Sequence, residues 1–154
     1  MADPHAVRAH PAVIAVAVAV ATIVACADLD TGFDPAFGLP DDAVAQPSFA
    51  ADVQPILTRR CVMGGCHTLA SAQGALVLDA SVAYDNLVNV PSALEPTLDR
   101  VEPGNPDASW LVRMIGPDPV ARSGHPRMPL ASSPLTPNQL TTISNWITRG
   151  ALND

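Results

Sequence analysis

The stretch Cys61-Val62-Met63-Gly64-Gly65-Cys66-His67 decides how this chain is read. Two thiols lie close together, and an imidazole directly follows the second. That order suits covalent attachment of a haem: the thiols add to the two vinyl groups, and the histidine reaches the iron from the same face. The usual attachment motif has two residues between its cysteines, whereas four separate Cys61 from Cys66. Gly64 and Gly65 fall in that insert, and a glycine's access to positive φ would let the longer loop fold back and bring both sulfurs to the porphyrin edge. The spacing leaves open whether two thioethers form, or one, or none.

Other chemistries compete for the same residues. A disulfide between Cys61 and Cys66 would make a haem-free, disulfide-stapled interaction module in an oxidising compartment. Zinc has only Cys61, Cys66, His67 and His125 to draw on, and adjacent Cys-His ligands fit poorly around one tetrahedral ion. An iron–sulfur cluster normally calls for four cysteines, one more than the whole chain holds.

The compartment is read from the first residues. Arg8 lies in a short polar start, Ala12 to Ala25 is an almost unbroken apolar run, and Ile23-Val24-Ala25-Cys26 has the small-residue pattern at which a leader is cut. Residues 1–25 resemble a lipoprotein signal peptide, which implies lipid on Cys26 as the mature N-terminus. A cleaved leader without lipid is the alternative. An uncleaved span fits less well, because the run is shorter than the roughly 20 apolar residues that cross a bilayer. The reading puts the domain in the periplasm or cell envelope, anchored to a membrane by lipid, and the absence of Asp after Cys26 leans toward the outer membrane.

Asp and Pro crowd residues 26–47, with few periodic apolar positions, and this stretch reads as a flexible tether. Residues 48–152 then have the size of one small domain without internal repeats. The aromatic side chains of that domain are Phe49, Tyr84, Trp110 and Trp146, a modest core that a large flat cofactor would complete. The net charge is −7, and loss of the leader leaves it unchanged because Asp3 and Arg8 go together. Nucleic acid, which wants a basic face, is thereby disfavoured.

Hydrophobic spacing predicts an all-α domain. Phe49, Val53, Ile56 and Leu57 form one stripe of a helix that Ser48 caps, with Pro55 marking a kink or the true start, and the helix runs straight into Cys61. Val82, Tyr84, Leu87 and Val88 suit a brief second helix. Asn105-Pro106 opens a third with Trp110, Leu111, Met114 and Ile115 on its apolar face, ended by Gly116-Pro117. The last begins at Thr136-Pro137-Asn138-Gln139, a capping box with proline at the first position. Leu140, Ile143, Trp146 and Ile147 are its buried stripe, and Gly150 closes it.

The phrases Asp52-Val53-Gln54-Pro55-Ile56-Leu57, Cys61 to His67, Arg100-Val101-Glu102-Pro103-Gly104-Asn105-Pro106, Arg127-Met128-Pro129 and Trp146-Ile147 together resemble the cytochrome c superfamily. More narrowly, they resemble the small haem-binding domains of exported planctomycete and myxobacterial proteins. The resemblance covers nearly all of residues 48–151. It implies a cytochrome c-like helical fold around one covalent haem c on Cys61 and Cys66, with His67 as proximal and Met128 as distal iron ligand and Pro129 fixing the loop that presents the sulfur.

A thioether ligand favours ferrous iron and raises the potential relative to two histidines. His125 is the rival distal ligand and would give a lower-potential site. Met63 lies too close to His67 to reach the opposite face, and Met114 suits the core. Arg127 would either pair with a haem propionate or remain solvated. Trp146 and Phe49 are expected where the first and last helices cross, and Tyr84 and Trp110 in packing roles or lining the haem pocket.

These readings converge on one-electron transfer by a monomeric, lipid-anchored, extracytoplasmic protein with a redox partner protein that the residues do not identify. No acid–base set for an enzyme stands out.

Overall fold

The computed structural model describes residues 33–34 and 38–154. The leader and Cys26 lie outside the described residues. What is described is helical, as the hydrophobic spacing predicts. Its extended structure amounts to the short antiparallel pair Phe33–Asp34 with Leu39–Pro40 and the isolated bridges Val88 with Val101 and Pro91 with Asp99.

Ser48 caps the first helix, its hydroxyl accepting from the Ala51 amide while the Asp52 carboxylate accepts from the Ser48 amide. This exchange satisfies donors that a helix start otherwise leaves open. The helix continues through three consecutive segments: Phe49–Val53 in the wide π geometry, Gln54–Leu57 in α geometry and Thr58–Val62 again wide. The first change of geometry falls at Gln54-Pro55, where proline has no amide hydrogen to give to an α ladder. Phe49, Val53, Ile56 and Leu57 are all buried, as their spacing predicts.

The second helix, Ala83–Leu87, is short. The third is interrupted: Asn105 caps a single turn, Pro106–Ala108, and the helix proper is Trp110–Ile115. Ser109 breaks the two apart. Its fully buried hydroxyl donates to the Asn105 carbonyl at 2.9 Å and accepts from the Glu102 amide at 2.9 Å, so the side chain supplies partners that helical continuity would otherwise have to provide.

The last helix, Pro137–Thr148, carries the complete capping box of Thr136 and Gln139. Gly150, at φ +100°, turns the chain out of it, and the Trp146 indole donates to the Leu152 carbonyl at 2.8 Å beyond the turn.

The first and last helices meet through aromatic side chains. Phe49 and Trp146 lie 5.1 Å apart between ring centroids, and Tyr84 stands edge-on to Phe49 at 5.3 Å. The Tyr84 hydroxyl donates to the Ala151 carbonyl, so Tyr84 serves the helix crossing. The chain end closes the same corner: Asp154 accepts from the amides of Phe49 and Ala50 at the start of the first helix.

Packing also extends upstream of Ser48, where the sequence suggests that the folded unit begins. Leu39 and Pro47 are buried. Val44 donates to Thr142 and accepts from Asn145, the Asp41 carbonyl accepts from Asn138, and the Asp41 carboxylate accepts from the Thr136 hydroxyl. Polar side chains of the last helix thus satisfy the backbone of a segment with no helical or strand pattern of its own. No helix among the described residues is long and apolar enough to cross a membrane.

Candidate functional site

The first helix ends inside the cysteine segment, so its last turn fixes Cys61 while Met63, Gly64, Gly65 and Cys66 are exposed. The four-residue insert closes on itself: the His67 amide donates to the Cys61 carbonyl at 3.3 Å, and the Gly65 amide to the Val62 carbonyl at 2.7 Å. Gly65 sits at φ +77° with open space where a side chain would project. Glycine is therefore suited to this position by its backbone angle. Ser71 braces the loop from outside, its hydroxyl lying 2.6 Å from the Gly65 carbonyl and 2.5 Å from that of Cys66.

Both cysteines are free thiols in different surroundings, Cys61 partly buried against the core and Cys66 exposed. Burial pushes the Cys61 thiol from its ordinary value near 9 up to about 12; the neighbouring Arg60 guanidinium works against this rise and Cys66 adds to it.

His67 is held from its own ring. Its Nδ1 lies 3.3 Å from the Leu76 carbonyl oxygen. A carbonyl can only accept, so Nδ1 carries the hydrogen and, in the neutral ring, the Nε2 lone pair is left available. Histidine ligands of metals are held in this way, through the nitrogen that does not bind. The backbone of the same residue is fixed as well, the Leu78 amide donating to the His67 carbonyl at 2.8 Å.

Leu76 is brought to His67 by a sharp reversal. Ala72, Gly74 and Ala75 adopt φ of +43°, +63° and +54°, and for the two alanines that region is costly, about 1–2 kcal/mol per residue. Such conformations persist where their surroundings impose them.

Met128 lies partly buried against the same core as Cys61 and Leu76. Its amide donates to the Met114 carbonyl at 2.9 Å, and Met128-Pro129 is a cis peptide. Arg127 donates through Nε to the Ile115 carbonyl, so the residues before Pro129 are stitched to the end of the third helix. The rival His125 stands edge-on to Trp110 at 5.9 Å, half-buried, with its carbonyl accepting from Arg122. Trp110 and Met114 are buried, as expected of that helix face.

The cysteine segment and the methionine loop are joined through Arg60, which directly precedes Cys61 and donates to the Ser133 and Pro134 carbonyls beyond Met128. Two exposed leucines flank the candidate ligands: Leu69 follows His67 by two residues and Leu130 follows Met128 by two, at 68% and 62% exposure. Spacing and composition do not reveal the carbonyl that holds His67 or the Arg60 connection, since both depend on residues distant in sequence.

Among the described residues, no group of three or more His, Cys, Asp or Glu side chains is gathered as for a metal ion held by protein alone. No protein-family model, curated protein or solved structure matches the chain.

Proposed function

We propose that this protein is an extracytoplasmic electron-transfer protein of the cytochrome c type, carrying one haem c on Cys61 and Cys66 with His67 and Met128 as axial iron ligands. The observation that carries the reading is the His67 ring: its Nδ1–H points to the Leu76 carbonyl, in the residue that directly follows a free, exposed thiol. The donor set fits haem c, with two thiols for the vinyl groups, an imidazole with an available Nε2, and a partly buried thioether. Leu69 and Leu130, each two residues beyond a candidate ligand in sequence, are exposed apolar side chains of the kind that a flat apolar cofactor would cover.

The haem supplies a one-electron change at iron, and the protein supplies ligands, a medium of low dielectric constant and a docking face. His67 keeps one tautomer and one ring orientation because Leu76 accepts its other hydrogen. Met128 contributes a soft, uncharged sulfur that favours the ferrous state. Its stitching to Met114 and that of Arg127 to Ile115 limit the positions from which the sulfur can be offered. The finer fold reading, a cytochrome c-like domain built around one haem, belongs to this proposal, as do the lipid anchor on Cys26, the periplasmic or envelope location, the monomeric state and the unidentified redox partner protein.

Expression of the whole chain with a c-type maturation system tests the reading. A red protein whose colour survives acid–acetone extraction is expected. A colourless product with a Cys61–Cys66 disulfide would instead make it a haem-free interaction module.

A further inference from the structure

Arg100 is buried, at 8% exposure, and among the described residues the other buried charged side chains are Arg60 and Arg122. Its guanidinium acceptors are main-chain carbonyls: Nη1 donates to Asn86 at 2.7 Å and Nη2 to Ala75 at 2.8 Å. The root of the side chain is equally fixed, since the Arg100 amide donates to the Val90 carbonyl and the Arg100 carbonyl accepts from the Leu111 amide. Burial lowers the Arg100 pKa, yet an arginine remains charged in a protein.

Ala75 is the residue before Leu76, whose carbonyl holds the His67 ring. Consecutive Cα atoms are about 3.8 Å apart. Arg100 therefore grips the peptide next to the one that orients the histidine, within the reversal where Ala72 and Ala75 take left-handed angles. A fixed guanidinium fork that bridges Asn86 and Ala75 gives that costly backbone a reason to persist.

We infer that Arg100 is a positioning residue for His67, clamping the Ala75–Leu76 segment, with its buried positive charge held at the carbonyl next to the one that orients the proximal ligand. The inference rests on the proposed haem reading for its electronic part. Ferric iron carries one more positive charge than ferrous, and a buried cation nearby penalises the ferric state more, so Arg100 raises the reduction potential.

The test uses the full-length holoprotein. Arg100→Gln keeps a donor but removes the charge, and spectroelectrochemistry should report a fall in potential equivalent to a tenfold change in the reduced-to-oxidised ratio, about 59 mV for one electron. Arg100→Lys keeps the charge and should retain most of the potential. A point donor cannot bridge Asn86 and Ala75 as the fork does, so the His67 Nδ1–H resonance of the reduced protein should move.

An unchanged potential in Arg100→Gln with an intact haem spectrum would overturn the charge role. Should that variant fail to fold, Arg100→Lys decides both parts: a fall in potential as large as that expected of Arg100→Gln overturns the charge role, and an unmoved His67 resonance overturns the clamp. Failure of the wild-type chain to take up haem would overturn the proposed function instead. The clamp would then be read in the haem-free chain, where Arg100→Lys should still shift the His67 ring resonance and an unmoved one would sink it.

Discussion

One guanidinium nitrogen of Arg60 lies 2.7 Å from the carbonyl oxygen of Ser133, and the same nitrogen reaches the Pro134 carbonyl at 2.7 Å. Arg60 adjoins Cys61 and Ser133 lies five residues beyond Met128, so one buried side chain sets the spacing between the cysteine segment and the methionine loop. Arg60→Met keeps the apolar stem and loses the charge-assisted bonds. We expect a loss of about 2 kcal/mol in urea unfolding and, in the haem-bearing protein, a weakened far-red methionine-to-iron band.

The two thiols should differ in the folded, haem-free chain. With the Cys61 thiol pushed up to about 12, only about one molecule in ten thousand carries its thiolate at pH 8. An aromatic disulfide reagent should therefore titrate Cys66 first, and Cys61 only once denaturant is added. The folded state also holds the Cys61 proton more tightly than the unfolded state, whose thiol is near 9. Stability from this group is present below pH about 9 and is lost as pH rises through about 12. A difference in denaturation midpoint between the unsubstituted protein and Cys61→Ser that is the same at pH 9–11 as at neutral pH would contradict that burial.

Thr136 caps the last helix and its hydroxyl also donates to Asp41. Thr136→Ala should cost about 1–2 kcal/mol with little change in the denaturant slope. Hydrogen exchange should quicken at the Gln139 amide, which donates to the Thr136 hydroxyl.

How much of this was legible in the sequence depends on the range of the forces. The cap at Ser48 and the box at Thr136 and Gln139 are encoded within four residues, and both form as the pattern predicts. The third helix starts later than its Asn-Pro signal suggests because the buried Ser109 hydroxyl finds partners in Asn105 and Glu102. The packing of residues 39–47 leaves no periodic trace, since their backbone partners sit on Asn138, Thr142 and Asn145 of the last helix. At the candidate site, His67 and the two cysteines are plain from spacing. The reversal that delivers Leu76 to His67 is not, because two of its left-handed positions are alanines, Ala72 and Ala75, without the usual glycine cue.

The distal position separates an electron carrier from a protein that binds small molecules at iron. Met128→Ala should abolish the far-red band, open the iron to carbon monoxide and lower the potential. His125→Ala should leave all three unchanged and lose only the edge contact with Trp110, a change worth about 0.5–1.5 kcal/mol in unfolding. Absence of the band from the unsubstituted protein, with the iron opened to carbon monoxide by His125→Ala and not by Met128→Ala, would assign the ligand to His125.

Covalent haem on the cysteine segment is the centre of this account, and mass spectrometry of the mature holoprotein tests it most directly. After matured expression and proteolysis, the peptide spanning Cys61 to His67 should carry the added mass of one haem, with fragments placing it on Cys61 and Cys66. A peptide from the same preparation with both cysteines unmodified, or joined to each other as a disulfide, would contradict the account.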